Sequence, residues 1–208
     1  MLFPESDMGR ILCGTAGWSY ADWRGRVYPA RAGSRFDPLA YLARYFDLVE
    51  VNSTFYRLPE PSLARSWVQR TSHRPDFLFL LKAPQAWTHF SEGVAKSDLD
   101  RFRALASNLA DAGRLGALLV QFPWSFRNNG ANRQRIVDVA GLLDGFPVAV
   151  EVRHGGFDRP EWYEFLRAQG CLPVNVDQPV VGDALGLGAE TGAQAAYFRF
   201  HGRNAASW

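Results

Sequence analysis

Apolar residues gather along the chain in seven short runs: Ile11–Thr15, Leu48–Asn52, Phe77–Lys82, Ala117–Gln121, Val148–Arg153, Leu172–Asp177 and Ala196–His201. Most are apolar at nearly every position, not at every second one. Strands buried on both faces read that way, and they belong to parallel sheets covered by helices. Between the runs lie stretches with helical patterning at Pro38–Tyr45, Pro61–Thr71, Ser97–Ala112, Ala131–Leu143 and Pro160–Gln169. Pro38, Pro61 and Pro160 each follow a cap or turn residue, Asp37, Glu60 or Arg159, and the fixed φ of proline suits a first helical turn. Strand and helix therefore alternate. Alternation selects an α/β architecture with a parallel sheet, either doubly wound or closed into a barrel.

The polar residues choose between the two. Six of the seven runs carry a charged or amide group at the C-terminal end: Glu50 and Asn52, Lys82, Gln121, Glu151 and Arg153, Asn175 and Asp177, Arg199 and His201. Pairs two residues apart share one face of a strand. An open sheet would gather its ligand groups at one switch point, whereas a barrel spreads them around its mouth. The expected fold is a TIM-type (β/α) barrel forming a single domain over residues 1–208. A closed barrel of that type has eight strands and typically about 250 residues. With seven strands in view, the eighth strand and the last helices are expected to be missing, so the domain reads as C-terminally truncated.

Composition narrows the picture. Of the 208 residues 47% are hydrophobic, with 15 Phe, 7 Trp and 7 Tyr, enough large apolar surface for a sizeable core and too much for a disordered or fibrous chain. A net charge of +2 gives no polyelectrolyte reason to seek nucleic acid or acidic membranes. Pro4, Glu5 and Asp7 interrupt the stretch where a signal peptide would be apolar, and no run of about 18 apolar residues occurs. The expectation is a cytoplasmic protein with no membrane partner; the oligomeric state is left open. Cys13 and Cys171 sit in apolar, strand-like contexts and are expected as buried, reduced thiols.

The runs are followed by residues with chemistry. After the first come Trp18, Tyr20 and Trp23, which either wall a pocket or cover the barrel mouth as packing. Glu50, set between Val49 and Val51, calls for a partner if buried, and Asn52 and Tyr56 follow it. Lys82 is suited to holding an anion; His89, in the next loop, and Gln121 add an imidazole and an amide. The densest site is Glu151-Val152-Arg153-His154, where Glu151 and Arg153 share a face while His154 points away if the strand continues. Arg199 and His201 repeat the spacing. Gly186–Gly192 is glycine-rich but precedes a strand, so it fails the context of a dinucleotide-binding loop.

These strand-end motifs resemble the YecE-like family, domain of unknown function 72. The resemblance runs over essentially the whole chain: Gly17-Trp18-Ser19-Tyr20 with Asp22-Trp23-Arg24-Gly25 and Tyr28-Pro29, Val49–Tyr56, Lys82, Thr88-His89, Gln121-Phe122-Pro123, Glu151–His154, Asp177 and Arg199–Gly202. It implies a TIM-like barrel with these groups around the mouth, and no established reaction.

Three function classes compete. The first is a metal-independent enzyme, of hydrolase or lyase type, acting on a small anionic or polyol-like compound that bears a phosphate or carboxylate. Lys82, Arg153 and Arg199 would hold the anion, Glu50, Glu151 or Asp177 would act as acid or base, and His201 would carry a proton. Trp18, Tyr20, Trp23, Asn52, Tyr56, His89, Gln121 and His154 would complete the binding wall. The second is a metal-dependent hydrolase or phosphodiesterase, with nucleic acid as a less favoured substrate, using Glu50, Glu151, Asp177, His154 and His201 as ligands. Lys82, Arg153 and Arg199 count against it, since three cations in the ring repel a divalent ion. The third is a non-catalytic ligand-binding module. The first is preferred, with no cofactor and no metal.

Overall fold

The computed structural model describes residues 9–90, 93–179, 181–193 and 195–204. In chain order its elements are β1 (Gly14–Ala16), α1 (Pro38–Leu42), β2 (Leu48–Val51), α2 (Ser53–Tyr56), α3 (Leu63–Arg70), β3 (Leu78–Lys82), α4 (Gln85–His89), α5 (Lys96–Asp111), β4 (Leu115–Gln121), α6 (Gly130–Leu142), β5 (Val148–Glu151), α7 (Pro160–Ala168), β6 (Leu172–Asp177) and β7 (Tyr197–Phe200). The class is α/β, as the alternation predicts. The chain divides into two compact units, one made by the residues up to Lys82 with Ala95–Gly116, the other by Ala83–Val94 with the chain from Ala117 on.

In the first unit β1, β2 and β3 pair in that order, all parallel, with Ala16 opposite Glu50 and Glu50 opposite Leu80. Gly14 is required here: a Cβ on it would lie 2.1 Å from the Leu48 carbonyl oxygen. Asp37 caps α1 by accepting from the Leu39 and Ala40 amides at 3.0 and 3.2 Å, and Pro38 occupies the first turn. The same carboxylate takes two hydrogen bonds from Arg70 of α3, at 2.7 and 2.6 Å, and these hold its pKa below the ordinary value. Helix α5 buries Phe102, Leu105, Ala106 and Leu109, an i, i+3, i+4, i+7 stripe. Each large member contributes roughly 1.5–3 kcal/mol by leaving water.

The second unit pairs β4, β5, β6 and β7 in order, again parallel. Helix α7 buries Trp162 and Leu166. Trp162 lies 4.5 Å from the Phe157 ring, which stacks on Phe126, itself stacked on Phe122 at 4.1 Å. This aromatic ladder fixes the connections that follow β4 and β5.

Several expectations are corrected. The start of the second predicted helix moves: Glu60–Ser62 form a turn and α3 starts at Leu63, so Pro61 precedes the helix. His89 belongs to a short helix, α4, and not to a loop; Ser53–Tyr56 also closes into a helical turn. Strands β2, β5 and β7 stop at Val51, Glu151 and Phe200, leaving Asn52, Arg153 and His201 just beyond. Cys13 is exposed while Cys171 is buried; both are free. Cys13 precedes β1 in irregular backbone, beside Ile11, which is 83% exposed. β7 is not apolar on both faces either: Arg199 is buried, and Phe198 and Phe200 face outward, stacked on each other.

Candidate functional site

Where β4, β5 and β7 end, one carboxylate organises its surroundings. The run Val148, Ala149, Val150 is buried on both faces and carries Glu151 into register opposite Gln121. The Glu151 side chain is 0% exposed. Arg153 donates from Nε to Oε1 of Glu151 at 2.9 Å, and Arg199 donates from Nη1 to Oε2 at 2.5 Å, so both carboxylate oxygens are engaged. The same Arg199 nitrogen lies 3.4 Å from Oε1 of Gln121. His201 Nε2 stands 3.2 Å from Arg199 Nη1, 3.3 Å from Arg153 Nη2 and 3.8 Å from Glu151 Oε1.

The electrostatics follow from this packing. Burial works to raise the Glu151 pKa; the neighbouring His201 imidazole and the charges of Arg199 and Arg153 outweigh it and hold the group down at about 2. Glu151 is thus ionised at neutral pH and has no proton to donate. What it does is orient two guanidiniums and, through them, an imidazole. The arrangement can hold an anion and move a proton at the ring, with Glu151 fixing geometry.

Other predicted residues are placed differently. Asp177 ends β6 with its Oδ1 2.8 Å from Arg203 Nε, while its carbonyl accepts from the His201 amide at 2.9 Å. It thus fixes the backbone of His201 and spends its charge on Arg203. His154 has left the strand and caps the turn Gly155–Phe157, its Nδ1 accepting from the Gly156 amide at 3.0 Å and its ring 5.6 Å from that of Trp124. Gln178, which the sequence reading passed over, is 5% exposed and donates to the carbonyls of Leu185 and Arg153 at 3.1 and 3.4 Å, holding the backbone that carries the Arg153 side chain. His89 Nδ1 lies 2.8 Å from the buried Thr88 hydroxyl.

The first unit has its own polar strand ends. Glu50 is buried at 4% exposure. Asn52 is half-buried, and its Oδ1 has no hydrogen-bond partner among the described residues. The Thr54 hydroxyl lies 2.8 Å from the Val51 carbonyl and 2.6 Å from that of Lys82, tying α2 to the end of β3. Lys82 Nζ rests 4.0 Å from the centre of the Phe55 ring, and Tyr56 is 80% exposed. Trp18 and Trp23 are half-buried and Tyr20 is exposed. Tyr20 bonds the Ala16 carbonyl and lies 4.8 Å from the Trp23 ring; Trp18 meets Trp67 edge-on at 5.8 Å, and its carbonyl accepts from the Tyr28 hydroxyl.

The sequence reading also missed an open cavity of about 480 Å³ lined by Arg127, Asn128, Arg133, His154, Gly156, Arg159 and Glu161. Its three arginines lie within a few residues of the starts of α6 and α7. Among the described residues no three His, Cys, Asp or Glu side chains stand together as a metal-holding group, and no helix is long and apolar enough to cross a membrane.

Residues 12–208 match the family described as protein of unknown function DUF72. The UPF0759 protein YunF of Bacillus subtilis is 27% identical over 95% of this chain and 72% of its own length. The UPF0759 protein YecE of Escherichia coli K12 is 31% identical over 71% of this chain and 50% of its own length, so the chain spans about half of that relative. Among solved structures, a DUF72 family protein from Thermotoga maritima superposes with a TM-score of 0.78 at 37% identity, over 93% of this chain and 75% of that one. One from Enterococcus faecalis gives 0.79 at 22% identity, a likeness of fold.

Proposed function

The chain belongs to the DUF72 family, and we propose that it acts within it as a metal-independent cytoplasmic enzyme on a small anionic or polyol-like compound bearing a phosphate or carboxylate. We place its parallel strands in a TIM-type barrel, the architecture whose chemistry sits at the C-terminal strand ends. The observation that carries the reading is the convergence of Arg153, Arg199 and His201 on the fully buried Glu151 at such ends. Preorganised guanidiniums recognise planar or tetrahedral anions bidentately, and an imidazole fixed beside them transfers protons without reorganising. Hydrolase or lyase chemistry suits a set with no nucleophile at its centre. Arg153 and His201 are the residues expected to touch substrate; Glu151 and Gln121 position them.

The test is a thermal-shift screen of phosphorylated and carboxylated metabolites, since a ligand that binds the native state raises its melting temperature. A true substrate class loses its shift in His201→Asn and Arg153→Lys, and turnover of the hit falls with it. Identical shifts in the variants and the parent would overturn the assignment.

A further inference from the structure

We propose that the cavity between the β4–α6 and β5–α7 connections binds a phosphomonoester dianion carried on a hydroxyl-rich small molecule. Its wall holds three guanidiniums, Arg127, Arg133 and Arg159, against one carboxylate, Glu161. None of the three arginines pairs with a carboxylate among the described residues. Arg127 instead donates to the Trp124 carbonyl at 2.9 Å and lies 4.0 Å from the centre of that indole. Arg133 donates from Nε to Asn128 Oδ1 at 2.8 Å, with its guanidinium 5.4 Å from the Phe165 ring.

Arg127 and Arg133 are half-buried. Removing a cation from water without a counter-ion is costly, and a buried charge is as a rule paired. Here neutral acceptors and ring faces take that place. They fix each guanidinium while leaving most of its N–H donors for whatever enters the cavity. Two helix starts add to the field: Arg127 and Asn128 lead into the 13-residue α6, and Arg159 precedes the 9-residue α7.

Charge and size set the ligand class. Three guanidiniums less one carboxylate leave an excess of two positive charges, which a phosphomonoester dianion balances and a single carboxylate does not. At about 480 Å³ the space exceeds a bare phosphate and falls within the range of small-molecule pockets, roughly 300–1,000 Å³. The remaining lining, Asn128, His154 and Glu161, is polar. Glu161 repels phosphate and accepts from hydroxyl groups, so it suits the body of the ligand. This site shares no residue with the Glu151 cluster and does not rest on the enzymatic reading.

The experiment is calorimetric titration, in buffer free of phosphate and sulfate, with glycerol phosphate, inorganic phosphate and glycerol. Saturable binding of glycerol phosphate, tighter than that of inorganic phosphate and with no binding of glycerol, is expected. The double variant Arg127→Ala, Arg133→Ala should weaken it about tenfold or more, and Arg133→Lys by less, because lysine keeps the charge and loses the fork. If the double variant does not fold, Arg159→Ala at an exposed position must still weaken binding several-fold. Absence of saturable binding at millimolar concentration, or equal affinity in folded variants, overturns the proposal. So does binding of a single-stranded oligonucleotide that inorganic phosphate fails to displace.

Discussion

Glu151→Gln removes one charge and almost no volume, and it isolates what that charge does. The amide is close in shape to the protonated acid, so at neutral pH the stability gap between parent and variant approximates the free energy of holding Glu151 ionised in the native state. The carboxyl lies at about 2 against an ordinary 4.5. At 1.36 kcal/mol per unit the gap is about 3 kcal/mol, in line with roughly 3–5 kcal/mol for breaking a buried ion pair. The pKa is depressed on folding, so this stabilisation is fully present above the unfolded value and is lost as pH falls from about 4.5 towards 2; by pH 3 about 2 kcal/mol of it is gone. Urea unfolding followed by tryptophan fluorescence, run on both proteins from pH 7 to pH 3, should show the curves converging as acid is added. Other carboxylates titrate in both proteins and cancel in the difference. A gap that stays constant with pH, or a variant as stable as the parent at pH 7, would refute the claim that Glu151 is an ionised structural anchor.

Other expectations follow from the same geometry. Arg114 is buried at 4% exposure with no carboxylate among its hydrogen bonds, donating to the Phe77 carbonyl and to the Thr71 hydroxyl at 2.9 Å. Arg114→Ala strands those acceptors and leaves a void, at a cost of about 3 kcal/mol measurable by urea unfolding. Gly14→Ala drives a methyl into the Leu48 carbonyl, so amide exchange along β1 and β2 should accelerate while that of β5 and β6 does not. Cys13, exposed, should react with a thiol reagent in the native protein. Cys171, whose thiol is pushed by burial up to about 11, should react only after unfolding.

The parts of the fold legible in the sequence are those that local chemistry dictates. Val148–Val150 could be nothing but a buried strand, and Asp37-Pro38 could hardly fail to start a helix. The spacing of two between Glu151 and Arg153 also carried through, although the strand ends at Glu151, because the guanidinium is long enough to reach back to the carboxylate. Legibility fails where the deciding contact is remote. Cys13 reads as core from its neighbours, yet its exposure depends on what covers β1. Asp177 looks equivalent to Glu151 until Arg203, 26 residues away in sequence, takes its carboxylate. The arginines at Arg127, Arg133 and Arg159 look like ordinary surface charges, because a missing counter-ion leaves no mark in a sequence.

The two arginine groups of the second unit therefore hold their charge in different ways. In the Glu151 cluster charge meets charge at 2.5 and 2.9 Å, so the guanidiniums give up part of their field in exchange for fixed orientation. In the cavity the guanidiniums of Arg127 and Arg133 rest on Trp124 and Phe165, which steady them without cancelling their charge. Uncancelled charge strengthens attraction for an anion, which the proposed cavity site draws on, whereas fixed guanidiniums give a bound anion one orientation beside His201, which the proposed enzymatic site draws on. His154 lines the cavity and follows Arg153 directly in the chain, so a shift in the turn Gly155–Phe157 on ligand entry would be felt at the next residue back. Substitutions that loosen this turn should accordingly alter both groups, while substitutions in either group alone should leave the other unchanged.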